Sequence, residues 1–334
     1  MANFSELLPS YQPSLVGYTI GLGAIIFAAT LVYSRKSTEP YGTHLRSLNE
    51  KPTTDKVGRE WLNMGYWKNT TVFPDACEAL ALELIKASKC IAGGRVLDVG
   101  HGNGESLLLQ LTHPEVPRPS SLFGITSLKF QHDRAAARIM RASYPHEIKV
   151  QLYLGDAVYR PVSGVPLSPK SPVQIMRHPL ELNDANNPTP PHPSYTSIIV
   201  LDCAYHFRTR EHFLDQSAQS LAPGGSIALA DMCVNASTSN LAIRALRRVY
   251  CTLFSIDPEN MITIQEYKET MERLGYQNVV VEDVSTSVFP GFVDFLQKRG
   301  VGWWIFARMV EVWWKTCGAR FVIASGERSK YTGS

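Results

Sequence analysis

The chain has 334 residues, 44% of them apolar and 19% charged, with a formal net charge of +3, so it can bury one large core and is not compositionally disordered. Its charges are interspersed, with none of the basic blocks that a nucleic-acid-binding surface requires. The six cysteines lack CxxC or Cys/His spacing, which excludes a zinc ribbon and a disulfide framework and fits a reducing compartment, with no metal expected.

In chain order, a short tail (1–14) leads into "LVGYTIGLGAIIFAATLVY", Leu15 to Tyr33. This stretch carries no charge and is long enough to cross a bilayer core of about 30 Å as a helix. A cleaved signal peptide is disfavoured because no positive segment precedes it, and a core helix because it is isolated at the terminus. Arg35 and Lys36 follow it, so the positive-inside bias places the rest of the chain in the cytosol. The expected localisation is a single-pass membrane protein of the endoplasmic reticulum, with the mitochondrial outer membrane as the alternative. Residues 34–57, polar and rich in turn formers, form a linker.

From residue 58 to 325 the pattern is globular and alternating. Apolar, β-branched runs predict strands at 95–99, 121–125, 148–154, 197–201, 226–231, 277–283 and 320–325. Helical periodicity falls at 73–88, 104–112, 129–143, 209–221 and 263–274. Such alternation predicts an α/β fold, a Rossmann-like, seven-stranded doubly wound sheet whose ligands sit beyond the carboxyl ends of the strands. Residues 157–196 hold nine of the 21 prolines and read as an irregular surface insertion. Residues 233–262 and 288–317, rich in Leu, Phe, Tyr and Trp, predict a helical cap over an apolar pocket. The paired tryptophans at 303/304 and 313/314, with Lys298, Arg299, Arg308 and Lys315 nearby, read either as sheet-packing aromatics or as a patch touching a membrane surface. A short tail, 326–334, closes the chain.

The stretch "VLDVGHGNGES" passes from a strand through Gly100, Gly102 and Gly104 into a helix. Without Cβ atoms such a turn lets a ligand approach the backbone closely. Its spacing is GxGxG rather than the GxGxxG of dinucleotide sites. Asp98 ends the strand before it, and His101, within the turn, is expected to point outward.

"VLDVGHGNG", "FGITSLKFQHDRAAA", "LYLGDA" and "LAPGG", in this order, resemble the successive motifs of class I S-adenosylmethionine-dependent methyltransferases. "GITSLKFQ" is similar to the Gly-[IV]-Thr-x-Ser-x-x-Gln signature of the sterol, tocopherol, cyclopropane-fatty-acid and natural-product sugar methyltransferases, except that Ser127 here follows Thr126 directly. The resemblance spans roughly residues 60–325. It implies that S-adenosyl-L-methionine is the cofactor and that Asp98, Gly100, Gly102 and Gly104 frame its methionine part. Thr126, Ser127 and Gln131 replace the usual ribose-binding acid, and Asp156 takes the adenine amino group unless it serves only as a turn residue. Tyr66, in "NMGYW", matches a segment closing over the cofactor, where Trp67 is expected only to pack.

In "VLDCAYHF", His206 matches a histidine of the tocopherol and sugar methyltransferases and is the candidate base or acceptor orienter, against a structural reading in which it caps the next helix. Tyr205 is expected to line the acceptor pocket. Asp202, counted with the cofactor site, is expected to orient His206 or to cap the helix near Thr209. Asp231 is expected on the ligand side, with loop ordering an equal reading. The resulting expectation is a membrane-anchored methyltransferase acting on a lipophilic small molecule such as a sterol, isoprenoid or lipid. An O- or N-methyltransferase of a soluble specialised metabolite and an inactive cofactor-binding membrane scaffold are the alternatives, and the methylated atom and the oligomeric state stay open.

Overall fold

The computed structural model describes residues 47–49, 58–160, 177–181 and 194–330. The expected membrane span, most of the linker and most of the proline-rich insertion lie outside them. Among the described residues no helix is long and apolar enough to cross a membrane.

The elements run α1 (Phe73–Ala87), β1 (Arg95–Val99), α2 (Glu105–Thr112), β2 (Ser121–Thr126), α3 (Lys129–Arg141), β3 (Lys149–Leu154), β4 (Tyr195–Leu201), α4 (Arg210–Ser220), β5 (Leu221–Val234), α5 (Leu241–Phe254), α6 (Ile264–Arg273), β6 (Tyr276–Asp283), α7 (Ser285–Gln297), α8 (Val301–Lys315) and β7 (Ala319–Arg328). The seven strands form one sheet in the order β3-β2-β1-β4-β5-β7-β6. β7 runs antiparallel to both neighbours, and the pairings among β1 to β5 are parallel.

Strand alternation sorts the core into two layers. Ala228, Ala230 and Met232 of β5 face one side, with α1, α2, α7 and α8. Ile227, Leu229 and Cys233 face the other, with Phe213 and Leu214 of α4 and Tyr267 and Met271 of α6. All six cysteines are free, and four of them are buried as small core residues.

The predicted cap resolves into α5, α7 and α8, joined by aromatic contacts. Tyr250 stacks on Trp313 with ring centroids 5.1 Å apart, and Phe254 meets Phe306 edge-on at 6.0 Å. The Tyr250 hydroxyl donates to the Met309 carbonyl at 3.0 Å, which satisfies a buried polar group while the ring fills the layer. Trp313 is buried, whereas Trp304 is half exposed.

β5 begins five residues earlier than the pattern predicts. Leu221 of the "LAPGG" turn already pairs with Tyr195, and the register shifts before Ser197.

Candidate functional site

Strand order reverses between β1 and β4, which opens a crevice at their carboxyl ends. A cavity of about 360 Å³ lies there, walled by residues that follow β1, β2, β3 and β4 together with an N-terminal strap and the cap.

One half is polar. Gly100 and Gly102 form its floor, and both hold positive φ (73° and 53°). A Cβ on Gly100 would stand 2.3 Å from Cys203 Sγ, so glycine there lets the first loop close against the loop after β4. Gly104 lies behind the cavity, where its missing Cβ admits Ala135 of α3. Gly100 and Gly104 are thus required by packing, while Gly100 and Gly102 face the cavity.

Asp98 is sealed beneath this turn. Its Oδ2 accepts from Gln110 Nε2 at 2.9 Å, and its Oδ1 has no partner among the described residues. Burial pushes the carboxyl up to about 7, with Ser106 and Gln110 drawing it part of the way back.

His101 corrects the expectation of an outward side chain. It is buried and lines the cavity, with its ring against the place a Gly124 side chain would take. Its Nδ1 lies 3.0 Å from the Gly102 carbonyl and its Nε2 has no partner among the described residues. Desolvation lowers this imidazole to about 4, so it is neutral near pH 7. Asn103 Oδ1 is also buried without a partner among them. On the cavity wall, His101 Nε2 and Asn103 Oδ1 are thus buried acceptors without donors among the described residues, a pair that suits a ligand bearing an ammonium or hydroxyl groups. Asp98, expected to frame the cofactor, is instead sealed beneath the turn and is not among the cavity walls.

At the end of β2, Thr126 Oγ1 and Gln131 Oε1 lie 3.0 Å apart, and both line the cavity with Ser127. Asp156 lines it after β3. One of its oxygens accepts from Val158 N at 2.9 Å, so the turn role is real and uses one side of the carboxylate.

The strap at 60–64 crosses the glycine turn. Glu60 pairs with Arg134, and Glu105 takes both the Glu60 N–H and the Arg138 guanidinium. Leu62 lies over Gly102. At its far end Met64 N donates to Asp202 Oδ2 at 2.8 Å. Tyr66 is not among the cavity walls. It lies half-buried against the core, with its N–H on the Ala76 carbonyl. Trp67 packs among Phe73, Phe292 and Phe295, as expected.

Asp202 holds left-handed backbone (φ 57°) immediately after β4, a costly conformation for a residue with a side chain. Its Oδ1 accepts from the Tyr205 hydroxyl at 3.0 Å. It therefore orients Met64 and Tyr205 rather than His206, and α4 is capped instead by Thr209, which accepts from His212 N. Burial raises the Asp202 carboxyl to about 7, partly offset by the Met64 and Tyr205 bonds.

His206 does not cap that helix either. Its Nδ1 lies 2.9 Å from the Ser255 carbonyl, and its ring packs 4.3 Å from that of Tyr205. A carbonyl only accepts, so Nδ1 carries the proton and the lone pair of the neutral ring sits on Nε2. Burial lowers the imidazole's affinity for a second proton, with the Ser255 bond and Asp231 acting in the opposite direction.

Asp231 stands outside the cavity in a buried network. Arg210 Nη1 and the Tyr267 hydroxyl donate to its Oδ2 at 2.7 and 2.9 Å. Arg210 also donates to the Asn260 carbonyl at 2.6 Å, and Asn260 Nδ2 donates to the carbonyls of Tyr205 and Phe207 at 3.1 and 2.8 Å. Loop ordering is thus its structural role, and the loop it orders carries His206.

The other half of the cavity is apolar, walled by Met232, Phe254, Phe289, Phe292, Phe306 and Trp313. These residues escape sequence reading individually because aromatic spacing in the cap fits core packing equally well.

The chain matches the model of the methyltransferase domain over residues 66–281. The chain belongs to this methyltransferase family. Its cofactor is accordingly S-adenosylmethionine and it is a methyltransferase, as the motifs imply. It is similar to 27-O-demethylrifamycin SV methyltransferase of Amycolatopsis mediterranei, 24% identical over 265 residues, covering 74% of this chain and 83% of that one. It is also similar to the O-methyltransferase resE of Aspergillus sclerotiorum, 24% identical over 245 residues, with 72% and 77% covered. Among solved structures, the geranyl diphosphate C-methyltransferase of Streptomyces coelicolor A3(2) shares the fold, with a TM-score of 0.59 at 12% identity, covering 89% of this chain and 98% of that one. The matched residues include every expected site residue from Tyr66 to His206. The strap before Tyr66 and the helices α7 and α8 lie beyond the match.

Proposed function

We propose that the methyltransferase acts on a hydroxyl oxygen of a lipophilic small molecule, such as a sterol, an isoprenoid, a lipid or a related metabolite. The observation that carries this reading is His206, held by Ser255 in the tautomer that presents a basic Nε2, on the wall of a cavity whose other half is aromatic. The names of the two similar proteins, one an O-methyltransferase and the other a methyltransferase of 27-O-demethylrifamycin SV, support oxygen as the methylated atom.

In this reading the polar half takes the cofactor, which supplies an electrophilic methyl group on a sulfonium. His101 Nε2 and Asn103 Oδ1 meet the methionine ammonium, with the Asp98 carboxyl acting on it from beneath the turn. Thr126, Ser127 and Gln131 meet the ribose, and Asp156 meets the adenine amino group. Phe292, Phe306 and their neighbours hold the acceptor and exclude water. His206 Nε2 takes the hydroxyl proton as the new bond forms, while Asp202 and Tyr205 fix the loop that carries it. Leu15–Tyr33 anchors the chain in the endoplasmic reticulum or, alternatively, the mitochondrial outer membrane, with the catalytic domain in the cytosol.

A second reading, a soluble specialised metabolite as acceptor, is favoured by the rifamycin-type name of one relative. Transfer of labelled methyl groups into fractionated extracts separates them. Label in the organic phase supports the lipophilic acceptor, label confined to the aqueous phase supports the second reading, and no transfer despite cofactor binding leaves the inactive scaffold.

A further inference from the structure

The long connection between β3 and β4 returns to the cofactor side at 177–181. Leu180 of this segment is fully buried in the second core layer, and its Pro179 carbonyl accepts from the Tyr195 hydroxyl at 3.0 Å. His178 makes the link to the site. Its Nδ1 accepts from Leu180 N at 3.1 Å, so Nδ1 is unprotonated. The proton is therefore on Nε2, which donates to the backbone carbonyl of Asp156 at 2.8 Å. Tyr159 packs beside the ring at 5.3 Å, and a Gly155 side chain would touch it at 3.7 Å. The turn at Asp156 is thus held twice, through its carbonyl by His178 and through its carboxylate by Val158 N.

We propose that His178 is a positioning residue for adenine recognition: it fixes the Asp156 turn so that the carboxylate discriminates the adenine amino group. The inference rests on the S-adenosylmethionine reading of the cavity. It gives the proline-rich insertion a function, since the segment that docks is the one that braces the cofactor loop.

The test compares binding of S-adenosylhomocysteine with that of S-inosylhomocysteine, which lacks the amino donor, by calorimetry on the full chain. One buried hydrogen bond corresponds to a preference of about tenfold for the adenine form. His178→Asn keeps an oxygen at the Nδ1 position for Leu180 N but does not reach Asp156, so the local turn survives and the preference falls to near twofold. His178→Gln, whose amide nitrogen reaches the Nε2 position, restores it. In an Asp156→Ala background, His178→Asn lowers the preference no further. A preference unchanged in His178→Asn overturns the proposal, as does an additive loss in the double variant or a wild-type protein that binds both nucleosides equally. If the wild type binds neither, the cofactor reading fails along with the inference.

Discussion

His206 Nδ1 lies 2.9 Å from the backbone carbonyl of Ser255, and this contact assigns the proton on the ring. Ser255 follows α5 in left-handed backbone (φ 55°), so a cap helix sets the tautomer of a residue on the loop after β4. Replacing His206 with Asn should lower kcat by a factor of about 10² to 10⁴ and leave the Kd for S-adenosylhomocysteine within about twofold. The acid limb of the kcat profile should lie below the ordinary histidine value, because burial disfavours the imidazolium. Equal loss of cofactor affinity would remove His206 from catalysis.

Cofactor affinity should depend on pH through Asp98 and Asp202. Both carboxyls are held at about 7 by burial, and a positively charged ligand favours their ionised forms. Binding therefore expels protons, and affinity falls as pH drops. Each group that ionises fully on binding weakens the complex about tenfold at pH 6 relative to pH 8. His101, neutral down to about 4, adds nothing in this window. In the free protein the sign is reversed. These two carboxyls sit above their unfolded value of about 3.9, so their contribution to stability is present in acid and is lost as pH rises through 7. Titrations in buffers of different ionisation heat measure the protons released, and S-adenosylmethionine should release more than its uncharged-sulfur product.

Gly104→Ala should destabilise the fold by about 1–3 kcal/mol. Its φ is 90°, and the added carbon would stand 2.9 Å from Ala135 Cβ and 3.1 Å from Ala135 Cα. Denaturant unfolding should show a lower midpoint. An unchanged midpoint would mean that α3 yields to the added carbon and that packing does not require this glycine.

The Arg210–Asp231 pair has side chains 3% and 0% exposed. Truncating Asp231 to Ala leaves a buried guanidinium without its partner and should cost about 3–5 kcal/mol. Molecules that remain folded should bind cofactor normally, because Asp231 lies outside the cavity. A specific loss of cofactor affinity in stably folded protein would return Asp231 to the site.

Deleting residues 1–36 should release the protein from membranes after a carbonate wash while cofactor binding persists. A truncated protein that still sediments with membranes would point instead to the cap, where Trp304 is half exposed, or to another contact.

Much of the sheet was legible because strand alternation and turn residues carry a local signal. The limits of β1 match the predicted ones, and those of β2, β3 and β6 differ from them by one residue. Gly100, Gly102, Thr126, Ser127, Gln131, Asp156 and Asp202 were legible as cavity residues because loops after parallel strands share one edge, whereas Asp98 and Gly104 lie behind the wall they were expected to form. What stayed hidden depends on contacts distant in sequence. His101 turns inward because Gly124, on the next strand, leaves room for its ring. His206 takes its partner 49 residues away. Asp231 could be placed on the ligand side or in a loop network with equal reason until Arg210, Tyr267 and Asn260 were seen around it. His178 lay in a proline-rich stretch with no periodic signal, and its role follows only from the return of that chain to Asp156.

The most direct test of the central claim, that one cavity joins a cofactor half to a catalytic histidine, is paired calorimetric titration of wild type and His206→Asn with S-adenosylhomocysteine, followed by methyl transfer with each. Equal binding by both proteins with transfer confined to the wild type is the expected result. A folded wild-type protein that binds no cofactor, or a His206→Asn variant that transfers methyl groups at the wild-type rate, would contradict the account.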